Sequence, residues 1–238
     1  MLKIKGGRNF YGFAIGVIML ETHFPRVAGD IGNAQTWDFP VLYKVVKDAN
    51  PKKIIEDNPM PLVEKFVLTA KELEEDGVSV IATSCGFLSL FQEKIATELR
   101  IPFISSALML VPLVYRMIGS NKKVGIMTAN SQALTKEHLQ SVGADNIPVK
   151  IVGIEDTDLG RALLYDQCEI DFDVAREEIL RKAFTLTEDR SVGAIVLECT
   201  NMPPFSEDIK QATRLPVFDV VGLVNLVYRA AHSSLRQY

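Results

Sequence analysis

The feature that most constrains this chain is an internal repeat. Residues 78–105 align without a gap on residues 192–219, at a constant offset of 114. In that register Ile81 meets Ile195, Cys85 meets Cys199, Phe91 meets Phe205, Glu93 meets Glu207, Ile95 meets Ile209, Arg100 meets Arg214 and Pro102 meets Pro216. Each copy reads as an apolar β-branched run, a cysteine, a helical pattern and a second short run. A fainter echo pairs Ile15-Gly16-Val17-Ile18 with Val124-Gly125-Ile126-Met127, each at the head of what would be one half of the molecule. Buried strand–turn–helix units resemble one another by composition alone. An ungapped register that keeps a reactive residue type in phase goes beyond that resemblance.

Hydrophobic periodicity fills in the halves. Apolar runs at residues 13–19, 78–83, 102–104, 124–127, 149–152, 194–197 and 217–218 predict buried parallel strands. Three- and four-residue apolar spacing predicts helices over 61–75, 88–99, 131–142, 173–186 and 220–235. Alternating strands and helices define an α/β chain with mainly parallel sheets. The repeat makes it two similar α/β lobes. With 47% hydrophobic residues in 238, each half can bury its own core.

Charge excludes some partners. A net charge of -4 and the lack of basic runs interleaved with aromatics argue against nucleic acid. Lys3, Lys5 and Arg8 before the run 13–20 imitate a secretion signal, but the run is short and lacks a small-residue cleavage site. It falls well below the roughly 20 apolar residues of a membrane span, so a buried first strand, no membrane partner and a cytoplasmic location are expected. Three cysteines in a chain of ordinary core-forming composition read as reduced thiols rather than a disulfide framework.

Cys85 and Cys199 each follow the C-terminal end of a strand and precede a helix, where ligands collect in open α/β sheets. Free backbone N–H groups and the positive end of a helix favour an anion there. The expectation is a thiol pushed toward thiolate from its ordinary pKa of about 8.5, beside a site for a carboxylate. Thr83, Ser84 and Gly86 around the first cysteine, and Thr200 and Asn201 after the second, offer hydroxyls, an amide and close backbone approach. Thr128 and Asn130 end a strand at the same sheet edge and are candidates for binding substrate, with helix capping as the rival role for Asn130. Arg26, after the first strand, can clamp a carboxylate or lie on the surface. Glu198 can assist Cys199 if it faces the cleft, although alternation along a strand turns neighbours to opposite sides. Cys168 lies in an acidic segment without a counterpart and reads as a bystander.

At Thr83 to Gly86 and Cys199 to Asn201, with Thr128 in support, the sequence resembles the aspartate/glutamate racemase superfamily over nearly the whole chain. That superfamily includes racemases, maleate isomerase and arylmalonate decarboxylase. The resemblance implies two pseudo-symmetric three-layer lobes facing a cleft, 1–107 plus 216–238 for the first and 108–215 for the second, with a C-terminal helix crossing back to the first lobe, and a cofactor- and metal-independent isomerase. In such an enzyme Cys85 and Cys199 exchange protons with opposite faces of an aspartate- or glutamate-like amino acid or hydantoin. A homo-oligomer is the family expectation. Met19-Leu20-Glu21-Thr22 replaces the Asp-Ser step of glutamate racemases, and Asn201 stands where they carry histidine. The alternatives are a maleate-type isomerase or an arylmalonate-decarboxylase-like enzyme using one cysteine, and a two-lobed binding protein without catalysis.

Overall fold

The computed structural model describes residues 6–8 and 11–231. Lys3 and Lys5, and the last four positions of the predicted helix 220–235, lie outside the described residues. Among the described residues there are two four-stranded parallel sheets. The first has the order β2-β1-β3-β4, from β1 (Ile15–Leu20), β2 (Val41–Val46), β3 (Val80–Thr83) and β4 (Phe103–Ile104). The second has the order β6-β5-β7-β8, from β5 (Lys123–Thr128), β6 (Val149–Gly153), β7 (Val192–Leu197) and β8 (Val217–Phe218).

The repeat is real in register as well as in order. Ile15 pairs with Val80 in the first sheet, and Val124 pairs with Ala194 in the second. The glycines of the fainter echo occupy equivalent environments. A Cβ on Gly16 would lie 3.0 Å from Leu73 and 3.2 Å from Val78, and one on Gly125 would lie 3.1 Å from both Leu186 and Val192. Both central strands therefore let a helix and the start of the next strand approach more closely than a side chain would permit.

The helices are α1 (Val63–Asp76), α2 (Gln92–Ala96), α3 (Val111–Ile118), α4 (Lys136–Gln140), α5 (Asp158–Tyr165), α6 (Phe172–Thr187), α7 (Ser206–Thr213) and α8 (Val220–Ala231). α1 packs on the first sheet, α3 and α6 on the second. α8 leaves β8 and packs against β3, returning the chain to the first lobe. The division at 216 is thus corrected: β8 belongs to the second sheet because it pairs with β7, and the crossing begins with α8.

Three elements, β2, α3 and α5, escape the periodicity. β2 is an edge strand with half-exposed Tyr43 and Lys44, so it lacks the continuous apolar run of a central strand. α5 spans eight residues and is held by a cap, the Thr157 hydroxyl accepting from Gly160 N–H at 3.0 Å. Two predicted helices are shorter than expected. Residues 88–99 begin as 3₁₀ turns (Gly86–Phe91) before α2. Residues 131–142 keep α-helix only in α4, where Thr135 and His138 form a reciprocal cap. Among the described residues no helix is long and apolar enough to cross a membrane.

Candidate functional site

The C-terminal ends of the two sheets face each other, and both cysteines line one hollow between them. Its volume is about 370 Å³, open mouth included. The walls are mainly apolar, with Leu20, Phe24, Ile55, Phe87, Ala129 and Leu163. The polar lining consists of Thr22, Arg26, Ser84, Cys85, Glu198, Cys199, Thr200 and Asn201. Cys168 is exposed and away from it.

The loop after β3 is fixed from both lobes. Ser84 N–H donates to Ile18 O at 2.9 Å, and its hydroxyl accepts from Leu20 N–H at 2.9 Å. From the other lobe, the Thr200 hydroxyl donates to Ser84 O at 2.7 Å. Ser84 and Thr200 thus line the hollow while holding its two walls together. Thr83 does not reach it: its hydroxyl is turned into the core and donates to Ser105 O at 2.7 Å and Cys85 O at 3.1 Å.

Two other candidates are placed elsewhere. The Thr128 hydroxyl is spent on Glu198, to which it donates at 2.6 Å, so it supports the site from behind. The Asn130 side chain accepts from Gln132 N–H at 3.0 Å and Ala133 N–H at 3.1 Å, the capping role, and borders a separate, wider groove. Thr83, Thr128 and Asn130, expected beside the substrate, thus do not line the hollow.

Arg26 does face the hollow. Its Nη1 donates to Asp30 Oδ1 at 2.7 Å and its Nη2 to Thr22 Oγ1 at 3.1 Å, while the guanidinium carbon lies 4.2 Å from the centre of the Phe24 ring. Asp30, nearly fully buried, also accepts from Asn201 Nδ2 at 2.7 Å, and Asn201 Oδ1 accepts from Cys199 Sγ at 3.6 Å. A continuous polar chain therefore runs from Arg26 through Asp30 and Asn201 to the second thiol. The segment carrying it is fastened to the opposite lobe at Asp166, whose Oδ1 accepts from His23 N–H at 2.5 Å and Phe24 N–H at 3.1 Å.

Glu198 is the residue whose place the sequence left open. It is fully buried, lines the hollow, and presents Oε2 to Thr128. Its Oε1 finds no hydrogen-bond donor among the described residues. Gly86 makes the room, since a Cβ there would overlap both Glu198 Oε1 and the Glu198 carbonyl oxygen. Strand alternation failed as a guide because β7 ends at Leu197, and Glu198 already belongs to the turn. A glycine in one repeat and a carboxylate just before the cysteine of the other was the available signal.

The electrostatics reverse one expectation. Burial, and then the Glu198 carboxylate, push the Cys85 thiol up to about 12. The same causes raise Cys199 well above its ordinary value. Backbone N–H groups of Phe87 and Leu88 at Cys85, and of Asn201 at Cys199, act in the anticipated direction but are outweighed. The turns after the cysteines are short 3₁₀ segments, so little helix dipole is available. Glu198 itself is raised to about 7 by burial, against the hydrogen bonds from Thr128 and the Ala129 backbone. Among the described residues no group of three or more His, Cys, Asp or Glu side chains is placed to hold a metal ion.

Two parallel-sheet lobes with one thiol from each on a concave, largely apolar site define a class of two-lobed α/β proteins suited to small molecules. The chain belongs to the Asp/Glu/hydantoin racemase family, whose pattern it matches over residues 68–224. An aspartate racemase homologue from Pyrococcus horikoshii OT3 shares the fold with a TM-score of 0.58 at 17% identity, over 92% of this chain and 98% of its own. Arylmalonate decarboxylase shares it with a TM-score of 0.59 at 13% identity, over 93% and 94%.

The curated relatives point to another reaction within the family. A dimethylsulfoniopropionate lyase from Durusdinium sp. clade D is 31% identical over 221 residues, 90% of this chain and 73% of the relative. Dimethylsulfoniopropionate lyase 3 of Emiliania huxleyi (strain CCMP1516) is 28% identical over 226 residues, 89% of this chain and 58% of the relative. The expectation of a racemase or epimerase of amino acids or hydantoins, and of an isomerase generally, is overturned by these lyases. The physical reason is that two thiols facing one hollow fit any reaction that starts by removing a proton and leave the later bond-breaking step open.

Proposed function

We propose that this chain is a lyase that removes a β-sulfonium group from a small carboxylate, dimethylsulfoniopropionate being the substrate to test. The observation that carries the reading is the 31% identity to such a lyase across 90% of the chain. The geometry is compatible: an apolar hollow accepts methyl groups, and Arg26 retains N–H donors beyond the two it spends on Asp30 and Thr22 for a carboxylate.

The reaction begins as a racemisation does, with removal of a proton from the carbon next to the carboxylate. In the elimination, the C–H electron pair becomes the C=C bond and the C–S pair returns to sulfur. Neutral dimethyl sulfide leaves, acrylate remains, and the proton stays on the base. The departing sulfide needs no proton, so one thiolate suffices. We assign the base to Cys85, which receives the Phe87 and Leu88 N–H groups, whereas the Cys199 thiol donates to Asn201.

The test is incubation of the purified chain with dimethylsulfoniopropionate, with dimethyl sulfide followed in the headspace and acrylate by proton NMR. Stoichiometric release of both is expected. Release of neither overturns the proposal.

A further inference from the structure

Glu198 is out of place in a site whose remaining charges are already balanced. Arg26 and Asp30 form a buried ion pair, with side chains 12% and 4% exposed, and so neutralise each other. Thr128 and the Ala129 backbone satisfy Glu198 in part, while Oε1 is left without a donor at the wall beside Gly86. A buried carboxylate with an unpaired oxygen costs stability unless something compensates it. A carboxyl kept only for packing would more simply be a leucine or a glutamine.

We propose that Glu198 is the specificity-determining residue that recognises a cationic, alkylated onium group on the substrate, while Arg26, which lines the same hollow, takes the carboxylate. This rests on the lyase reading given above. The surroundings select the kind of cation: Phe87, Ala129, Leu163 and Ile55 line the same hollow and suit methyl groups better than a strongly hydrated ammonium. The onium also completes the chemistry. A positive charge between Glu198 and the thiols offsets the carboxylate that opposes thiolate formation, so the base forms when the right substrate is in place.

The experiment uses two analogues of equal shape and different charge: 3-(trimethylammonio)propanoate, a cationic onium, and 4,4-dimethylpentanoate, its neutral carbon counterpart. Their binding to the full chain is measured by calorimetry at pH 8, for the wild type and for Glu198→Gln. The wild type is expected to favour the onium by about tenfold or more, the scale of one pKa unit of interaction. In Glu198→Gln the ratio is expected to fall to near one. Equal binding of both analogues by the wild type, or an unchanged ratio in the variant, overturns the proposal.

If the variant does not fold, the wild-type ratio measured from pH 8 down to pH 5.5 takes its place. The charged and titratable groups that face Glu198 or the cysteines it influences are Cys85, Cys199, Arg26 and Asp30, with His138 behind Phe87. The two analogues carry the same carboxylate, so its effects cancel, and the ratio should fall as Glu198 takes up its proton near pH 7. A ratio that stays constant overturns the proposal. Dimethyl sulfide release is scored separately. Onium preference without turnover refutes the lyase reading alone, and turnover without onium preference refutes the role of Glu198 alone.

Discussion

The two cysteine turns descend from one pattern and differ in charge. In the first lobe Ser84-Cys85-Gly86 is uncharged, and the thiol receives backbone N–H groups from the turn that follows. In the second lobe Glu198-Cys199-Thr200 stands at the same offset, with a carboxylate where the first has a hydroxyl and a hydroxyl where the first has hydrogen alone. Gly86 and Glu198 are complementary: the missing side chain of one repeat is the space the other repeat's carboxyl fills. A duplicated scaffold thus supplies two thiols in symmetric places, and one unpaired charge makes them unequal. A racemase uses the symmetry, because both faces of a carbon must be served. An elimination needs one base and has a use for the asymmetry.

The comparison is broken most severely at the thiols. Cys85→Ala is expected to reduce dimethyl sulfide release by about 10²- to 10⁴-fold, the contribution of a positioned base, and Cys199→Ala by distinctly less. Steady-state assays of both variants check this, and equal losses would restore the symmetric picture.

Next comes the fit between the repeats. Gly86→Ala forces the carboxyl of Glu198 off the wall, and overpacking of this kind costs about 1–3 kcal/mol. Urea unfolding should show that loss. Combined with Glu198→Ala, only the part of the loss that comes from the carboxyl should return, because the added methyl still meets the backbone carbonyl oxygen of residue 198.

The smallest net effect in the wild type is the most specific to charge, because two opposing slopes offset each other. Glu198 rises from an ordinary 4.5 to about 7, so the folded state holds its proton more tightly than the unfolded chain does. That stability is fully present below pH 4.5 and is lost as pH rises to 7, a change of about 3 kcal/mol from the size of the shift. His138 has the opposite slope. Burial lowers it from 6.5 to about 4, so its contribution is present above pH 6.5 and is lost as pH falls toward 4. The two slopes oppose each other between pH 4.5 and 6.5. Glu198→Gln should unmask the histidine, giving a protein that gains stability with rising pH across this window while the wild type changes less. Denaturant titrations at four pH values decide it.

Much of this was legible in the residues themselves. The strands at 80–83 and 194–197, the paired turns at Cys85 and Cys199 and the parallel character of the sheets follow from apolar runs and an ungapped repeat, because burial on both faces leaves a continuous hydrophobic signal. The edge strand Val41–Val46 and the short helix Asp158–Tyr165 were not, since half-exposed or capped elements depend on neighbours that local pattern does not contain. Site residues divided the same way. Ser84, Cys85, Gly86, Arg26, Cys199, Thr200 and Asn201 reach the hollow, whereas the Thr83 and Thr128 hydroxyls are taken by other partners.

Sequence alone determined two lobes and two thiols at the same phase, because a repeat with its hydrophobic register intact can fold in few other ways. Tertiary structure decided what those thiols are. Their ionisation depends on burial and on the Glu198 carboxylate beside both, and distance and desolvation between chain segments 113 residues apart, as from Cys85 to Glu198, exist only once the lobes have closed on each other.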